Sequence, residues 1–157
     1  EQAVAGVARR YLIFRTSWLY GNRRQNFFLT MLRLARERDE LRVVADQVGS
    51  PTWVHQVAEV TRRAITGGES AIDSGIYHVS ANGSTSWHGF ATAILAAVPD
   101  PARRAKRVVP IATSDYPPPA RRPAFSVLSN AKIEAALNIR MPDWQTQLAG
   151  CASERTA

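Results

Sequence analysis

The sequence predicts an α/β fold. Short apolar runs suited to buried strands alternate with stretches whose apolar residues recur at helical spacing, and Gly or Pro punctuates the junctions. The length, 157 residues, bounds the chain to one domain's worth of structure with a real core. A composition 45% hydrophobic and 21% charged fits a globular protein.

Tyr11–Phe14 is an apolar run of strand length, feeding Arg15-Thr16-Ser17-Trp18 and a turn at Gly21-Asn22. Residues 26–38 read as an amphipathic helix, with Phe27, Phe28, Met31, Leu34 and Ala35 on one face. Leu41–Val44 is a strand, and Asp46–Thr52 is a loop marked by Gly49 and Pro51. A helix is expected over 54–65, with Val54, Val57, Ala58, Thr61, Ala64 and Ile65 inward and Gly67-Gly68 ending it. Gly75–Val79 is a further strand.

Ser84-Thr85-Ser86 offers an N-cap for a third helix carrying Phe90, Ala93, Ile94 and Ala97, which Pro99 and Pro101 stop. Val108–Ile111 is extended, and Tyr116–Pro119 reads as an extended linker. Ser129 is expected to cap a short helix through Leu137, and Pro142-Asp143-Trp144 to open the last helix with Pro142 in its first turn. Residues 151–157 are expected to be a disordered tail. Two or three strands make a poor sheet alone, so their open edges call for a partner or for association of copies.

The net charge of +7 is carried largely by arginine and dispersed as pairs such as Arg9-Arg10, Arg62-Arg63 and Arg121-Arg122. Dispersal disfavours a nucleic-acid-binding stripe, which needs clustered basic residues with exposed aromatics. No run of about 18 apolar residues suggests a membrane span, and residues 1–10 lack the pattern of a signal peptide. The single cysteine, Cys151, excludes an internal disulfide, leans towards a reducing compartment and has no local activating partner. His55, His78 and His88 lack metal-ligand spacing and read as structural. No close carboxylate pair and no nucleophile elbow appears, so neither a catalytic nor a metal-ligating residue is expected in this chain.

Trp18 stands just beyond a strand end, where open α/β sheets bind ligands. It serves either as a core aromatic or as a surface for a sugar or base. Arg122 precedes Pro123 and follows a stiff Pro-rich segment. It serves either as a phosphate-binding guanidinium or as a solvated arginine.

In order and spacing, several segments resemble the dTDP-4-dehydrorhamnose reductases, a family of extended short-chain dehydrogenases/reductases. They are Phe-Arg-Thr-Ser-Trp-Leu-Tyr at 14–20, Asn26-Phe27, the run at 31–38, Asp-Gln-Val-Gly-Ser-Pro-Thr at 46–52 and Gly-Ile-Tyr-His at 75–78. Trp87-His88, Ser114–Pro117 and Arg122–Leu128 continue the match. The resemblance implies the late strands and helices of a Rossmann-type doubly wound sheet plus a small mixed α/β substrate-binding domain, together spanning 1–150. It implies NADPH-dependent reduction of dTDP-4-dehydro-L-rhamnose to dTDP-L-rhamnose in the cytoplasm.

By the same resemblance, Trp18, Asn26, Gln47 and Arg122 are the substrate-binding residues. The family's cofactor loop and catalytic Tyr-x-x-x-Lys fall upstream of Glu1, so the chain reads as a C-terminal portion, inactive alone, whose partner is the N-terminal Rossmann half or a homologous subunit. Some members place a Glu in a magnesium site where His55 stands, and His is a poor ligand for a hard cation. Alternatives are a non-catalytic sugar-nucleotide-binding subunit and a basic nucleic-acid-binding fragment.

Overall fold

A computed structural model describes residues 1–66, 72–116 and 122–156. The class is α/β. A short helix α1 (Gln2–Val7) leads to β1 (Leu12–Arg15), which pairs in parallel with β6 (Gly75–His78), Leu12 opposite Gly75. The strand β2 (Leu19–Tyr20) pairs in parallel with β5 (Thr52–Trp53). Between them run helix α2 (Phe27–Glu37), β3 (Glu40–Val44) and β4 (Val48–Gly49). Helix α3 (Val54–Thr66) follows β5 directly. The strand β7 (Thr85–Ser86) pairs antiparallel with β4 and opens helix α4 (Trp87–Ala97). β8 (Arg107–Ile111) lies parallel to β3 with Pro110 opposite Val43. Proline has no N–H to donate, which suits an edge position. Helices α5 (Ala131–Leu137) and α6 (Trp144–Thr156) close the chain.

Two apolar cores result. The smaller lies on β1–β6, where Val60 and Ala64 of α3 and Ile133 of α5 meet Tyr77 and Val79. The larger gathers α2, α4 and α6 around Tyr20, Phe28, Phe90, Ile94 and Trp144. Between them, polar side chains tie backbone to backbone. Asn130 accepts from the Ser80 N–H at 3.0 Å and donates to the Ser80 carbonyl at 2.9 Å. The Glu134 carboxylate accepts from Met141 N–H at 2.8 Å and Asn82 Nδ2 at 2.9 Å, and these bonds hold its carboxyl below the usual range.

Several expectations need correction. The inner face of α3 is set by Val60 and Ala64, with Val57 partly covered, while Val54, Ala58 and Ile65 are exposed. In α2 the buried set includes Leu32, and Phe27 and Leu34 are only partly covered. Asn130 occupies the N-cap position of α5, with Ser129 accepting weakly from Ala131 N–H at 3.4 Å. Helix α6 begins at Trp144, so Pro142 precedes it rather than standing in its first turn, and the Asp143 carboxylate accepts from Thr146 N–H at 2.7 Å. The expected ending at Gly67-Gly68 and the Pro117–Pro119 linker lie outside the described residues.

The expected disordered tail is instead helix through Thr156. Cys151 and Ala152 face the larger core, with Cys151 fully buried. The tail's composition is polar, but Cys151 and Ala152 join the apolar cluster that holds Tyr20, and burial outweighs the tendency of termini to fray. Burial also raises the Cys151 thiol to about 11. At pH 8 only about one thiol in a thousand is then ionised. Cys151 should therefore react slowly with a disulfide reagent in the native state and fully in denaturant. Fast native-state labelling would show that α6 opens at its C-terminal end.

Candidate functional site: an arginine-flanked aromatic cleft

An open cleft of about 420 Å³ lies between α2 and the β3–β8 pair. Its floor is apolar, from Phe27, Met31, Leu34, Val43 and Ile111, and Trp87 and Tyr116 add aromatic surface. Arg38, Arg42 and Arg122 stand at its walls, and among the described residues no carboxylate lines it. Among the described residues none of the three takes part in an ion pair. Three guanidiniums without counter-charge around an apolar floor suit a ligand that is anionic at one end and flat or apolar at the other.

Local structure delivers each part. Asn26 caps α2, its Oδ1 accepting from Leu29 N–H at 3.2 Å, which projects Phe27 from the helix start. Ser86 caps α4, accepting from Gly89 N–H at 3.0 Å, and places Trp87 first in that helix. Arg42 is the exposed residue between buried Leu41 and Val43, as strand alternation requires. The segment bearing Arg122 is held because Val48 N–H donates to the Ala124 carbonyl at 2.8 Å and Ser126 N–H to the Val48 carbonyl at 2.9 Å.

Behind the cleft is a tryptophan pair. Trp18 and Trp87 stack with ring centroids 3.5 Å apart and planes within 4°. Phe27 packs against Trp87 at 4.6 Å. Trp18 has φ of +48°, a left-handed backbone that is an outlier for a bulky residue. That conformation is locked on both sides. The Trp18 carbonyl accepts from Thr52 N–H at 3.1 Å, and the indole lies against Gly49. A Cβ at Gly49 would run into the ring.

Gln47 is buried beside this pair. Its Oε1 accepts from Trp87 Nε1–H at 3.3 Å, and its Nε2 donates to Thr113 Oγ1 at 3.0 Å. The Thr113 hydroxyl donates to Asp46 Oδ1 at 2.6 Å, and the Thr113 N–H donates to the same carboxylate at 3.0 Å. That hydroxyl, and next the backbone N–H, hold the Asp46 carboxyl below the usual range.

The structure thus brings Gln47 and Arg122 to one cleft, with Trp18 behind it rather than on its lining. Trp18 supports Trp87, which does line it. Asn26 is elsewhere: its side chain is spent on Leu29 and on the carbonyls of Gly21, Arg23 and Arg24. Arg38, Arg42, Trp87 and Thr113 were not singled out as site residues by sequence reasoning. Only the Trp87-His88 motif match and the alternation around Arg42 could have flagged any of them. His55 packs edge-on to Trp53 at 4.8 Å, and His88 Nε2 lies 3.2 Å from the Val108 carbonyl. Among the described residues no three His, Cys, Asp or Glu side chains converge as metal ligands would.

A family model described as the RmlD substrate binding domain matches residues 1–156. The chain belongs to that family. It is 47% identical to the dTDP-4-dehydrorhamnose reductase of Burkholderia thailandensis, over 98% of this chain and 55% of that protein. Two solved structures agree. The dTDP-4-dehydrorhamnose reductase of Clostridium acetobutylicum superposes with TM-score 0.87 at 33% identity, covering 99% of this chain and 52% of that one. The Bacillus anthracis enzyme, solved in complex with NADP, gives 0.85 at 36%, covering 98% and 51%. The chain therefore spans about half the length of the relatives it matches.

The described residues do not fit a dinucleotide. β5 passes straight into α3 through Thr52-Trp53-Val54, and no strand among them enters a helix through a Gly-rich turn that would cradle a pyrophosphate.

Gly49→Ala should cost about 1–3 kcal/mol, because the added methyl has to displace the Trp18 ring from a packed stack. Chemical denaturation with tryptophan fluorescence would measure this. An unchanged midpoint would show the ring to be free to move.

Proposed function

We propose that this chain is the sugar-nucleotide-binding portion of an NADPH-dependent dTDP-4-dehydrorhamnose reductase, acting in the cytoplasm on dTDP-4-dehydro-L-rhamnose. The observation that carries the reading is the acid-free cleft with three unpaired arginines, in a chain of this family. The thymidine diphosphate supplies the negative charge and the flat ring. Arg122, aided by Arg38 and Arg42, holds the diphosphate. Phe27, Trp87 and Tyr116 cover the base or the sugar, and Gln47 keeps Trp87 in place.

NADPH supplies the hydride when bound. Because the described residues do not fit it, no step of hydride or proton transfer is assigned to them. The work of this chain is binding and orientation. Its partner in the reaction is an N-terminal Rossmann half, equivalent to the portion of the relatives it does not span, or a homologous subunit. A sugar-nucleotide-binding subunit without turnover would use the same cleft, since a fold does not fix an activity.

Isothermal titration of the 157-residue chain with dTDP-rhamnose tests the reading. Binding is expected, weakened about tenfold or more by Arg122→Ala, the scale of a hydrogen bond to a charged group. The chain alone should not turn over dTDP-4-dehydrorhamnose with NADPH. Absence of binding, or an Arg122→Ala variant with full affinity, would count against the assignment. Preferential, steeply salt-dependent binding of duplex DNA would favour the nucleic-acid alternative.

A further inference from the structure

We propose that Asp46 is a positioning residue: through the Thr113 hydroxyl its carboxylate fixes which way the Gln47 amide faces, and so holds Trp87 against Trp18. A carboxylate has two acceptor oxygens and no donor. It accepts both the Thr113 N–H and the Thr113 O–H, at 3.0 and 2.6 Å. The hydroxyl proton is thereby committed, leaving Thr113 Oγ1 only as an acceptor towards Gln47. Gln47 must then present Nε2 to Thr113 at 3.0 Å and turn Oε1 to Trp87 Nε1–H at 3.3 Å. Indole N–H is a donor only, so Trp87 has a partner in one of the two amide orientations and a donor–donor clash in the other.

Asp46 itself is exposed and does not line the cleft, whereas Gln47 is 7% exposed. The polarity of a surface carboxylate is thus carried inward across two side chains to an aromatic wall. An amide in its place offers one acceptor and one donor. If its oxygen takes the Thr113 N–H, its nitrogen faces the hydroxyl, which must reverse and donate to Gln47. If its oxygen stands at the Oδ1 position it still accepts the hydroxyl and the Thr113 N–H, but its nitrogen replaces the second acceptor and opposes that N–H from 3.0 Å, which pushes the turn away. Either result removes the acceptor from Trp87 or displaces the segment that holds it.

The test is circular dichroism of the intact chain. Two indoles stacked at 3.5 Å give an exciton couplet, a signal that general packing losses elsewhere do not produce. Asp46→Asn and Thr113→Val should each lose at least half of the couplet while retaining a cooperative thermal transition. Thr113→Ser, which keeps the hydroxyl, should retain it. The exposed position of Asp46 lets Asp46→Asn carry the test even if Thr113→Val does not fold.

A full couplet in folded Asp46→Asn overturns the proposal, as does equal loss in Thr113→Ser. A titration with thymidine diphosphate adds a second arm, which alone rests on reading the cleft as the sugar-nucleotide site. Asp46→Asn should weaken binding about three- to tenfold, the effect of one lost hydrogen bond. If the wild-type chain binds no thymidine diphosphate while the couplet behaves as described, the substrate reading fails and the positioning role stands.

Discussion

The segment from Asp46 to Trp53 has to bury its backbone, and every polar group it buries must find a partner inside the protein. This requirement organises the rest of the molecule. Thr52 N–H is taken by the Trp18 carbonyl, and Trp53 N–H by Gln147 Oε1 at 2.9 Å. Ser50 Oγ donates to the Gly83 carbonyl at 2.6 Å, and Thr52 Oγ1 accepts from Ala81 N–H at 3.1 Å. One short stretch is therefore bonded to the residue that precedes β2, to the loop before α4 and to α6. The loop before α4 joins the two apolar cores, Val79 lying in the smaller and Ala81 in the larger. Their relative placement is fixed by hydrogen bonds, which are directional, and stabilised by apolar burial, which is not. The cleft inherits that precision.

Trp18 shows what such a framework makes possible. A left-handed backbone at a tryptophan costs about 1–3 kcal/mol. Stacking on Trp87 and contact with Gly49 offset that cost, since aromatic pairs contribute about 0.5–1.5 kcal/mol beyond their burial. Strain of this kind persists where the surroundings over-determine it. Here they do so through the ring on one side and the Thr52 hydrogen bond on the other. Removing the glycine or the partner ring takes away a support and leaves the strain.

The elements of the fold were legible because their signals are local. Helical spacing around Phe28 and Met31, Ser86 as a cap, and the apolar run at Leu12–Phe14 each act within a few residues. Errors arose where burial is decided at long range. Val60 is buried because α5 and β6 come to it, and nothing in the periodicity of α3 separates it from Val54. Cys151 is buried because Tyr20, over a hundred positions earlier, leaves a place for it. The site was legible in part through motif resemblance, which marked Gln47 and Arg122. It could not show that Asn26 spends its side chain on a loop, or that Trp87 rather than Trp18 faces the cleft.

Charge makes the same point in another way. In the sequence the arginines are scattered pairs, and scattered charge suggests no site. In the fold, among the described residues, seven of these arginines are answered by carboxylates: Arg15 by Glu1, Arg33 by Glu37, Arg36 by Asp100, Arg62 and Arg63 by Glu59, Arg104 by Asp39, Arg107 by Glu40. These pairs are largely exposed and individually contribute little to stability. Their consequence is electrostatic contrast. They neutralise the surface around them; Arg9, Arg10, Arg23 and Arg24 also take part in none of these ion pairs, and what separates Arg38, Arg42 and Arg122 from them is a shared cleft. The three line a concave, apolar-floored space with no carboxylate among the described residues, where an anion loses part of its hydration and is screened less than at an open surface. A net charge of +7 says little about a partner until the paired arginines are set aside. Of the arginines that remain, Arg38, Arg42 and Arg122 line one cleft, and that grouping rather than the total charge is what bears on a ligand.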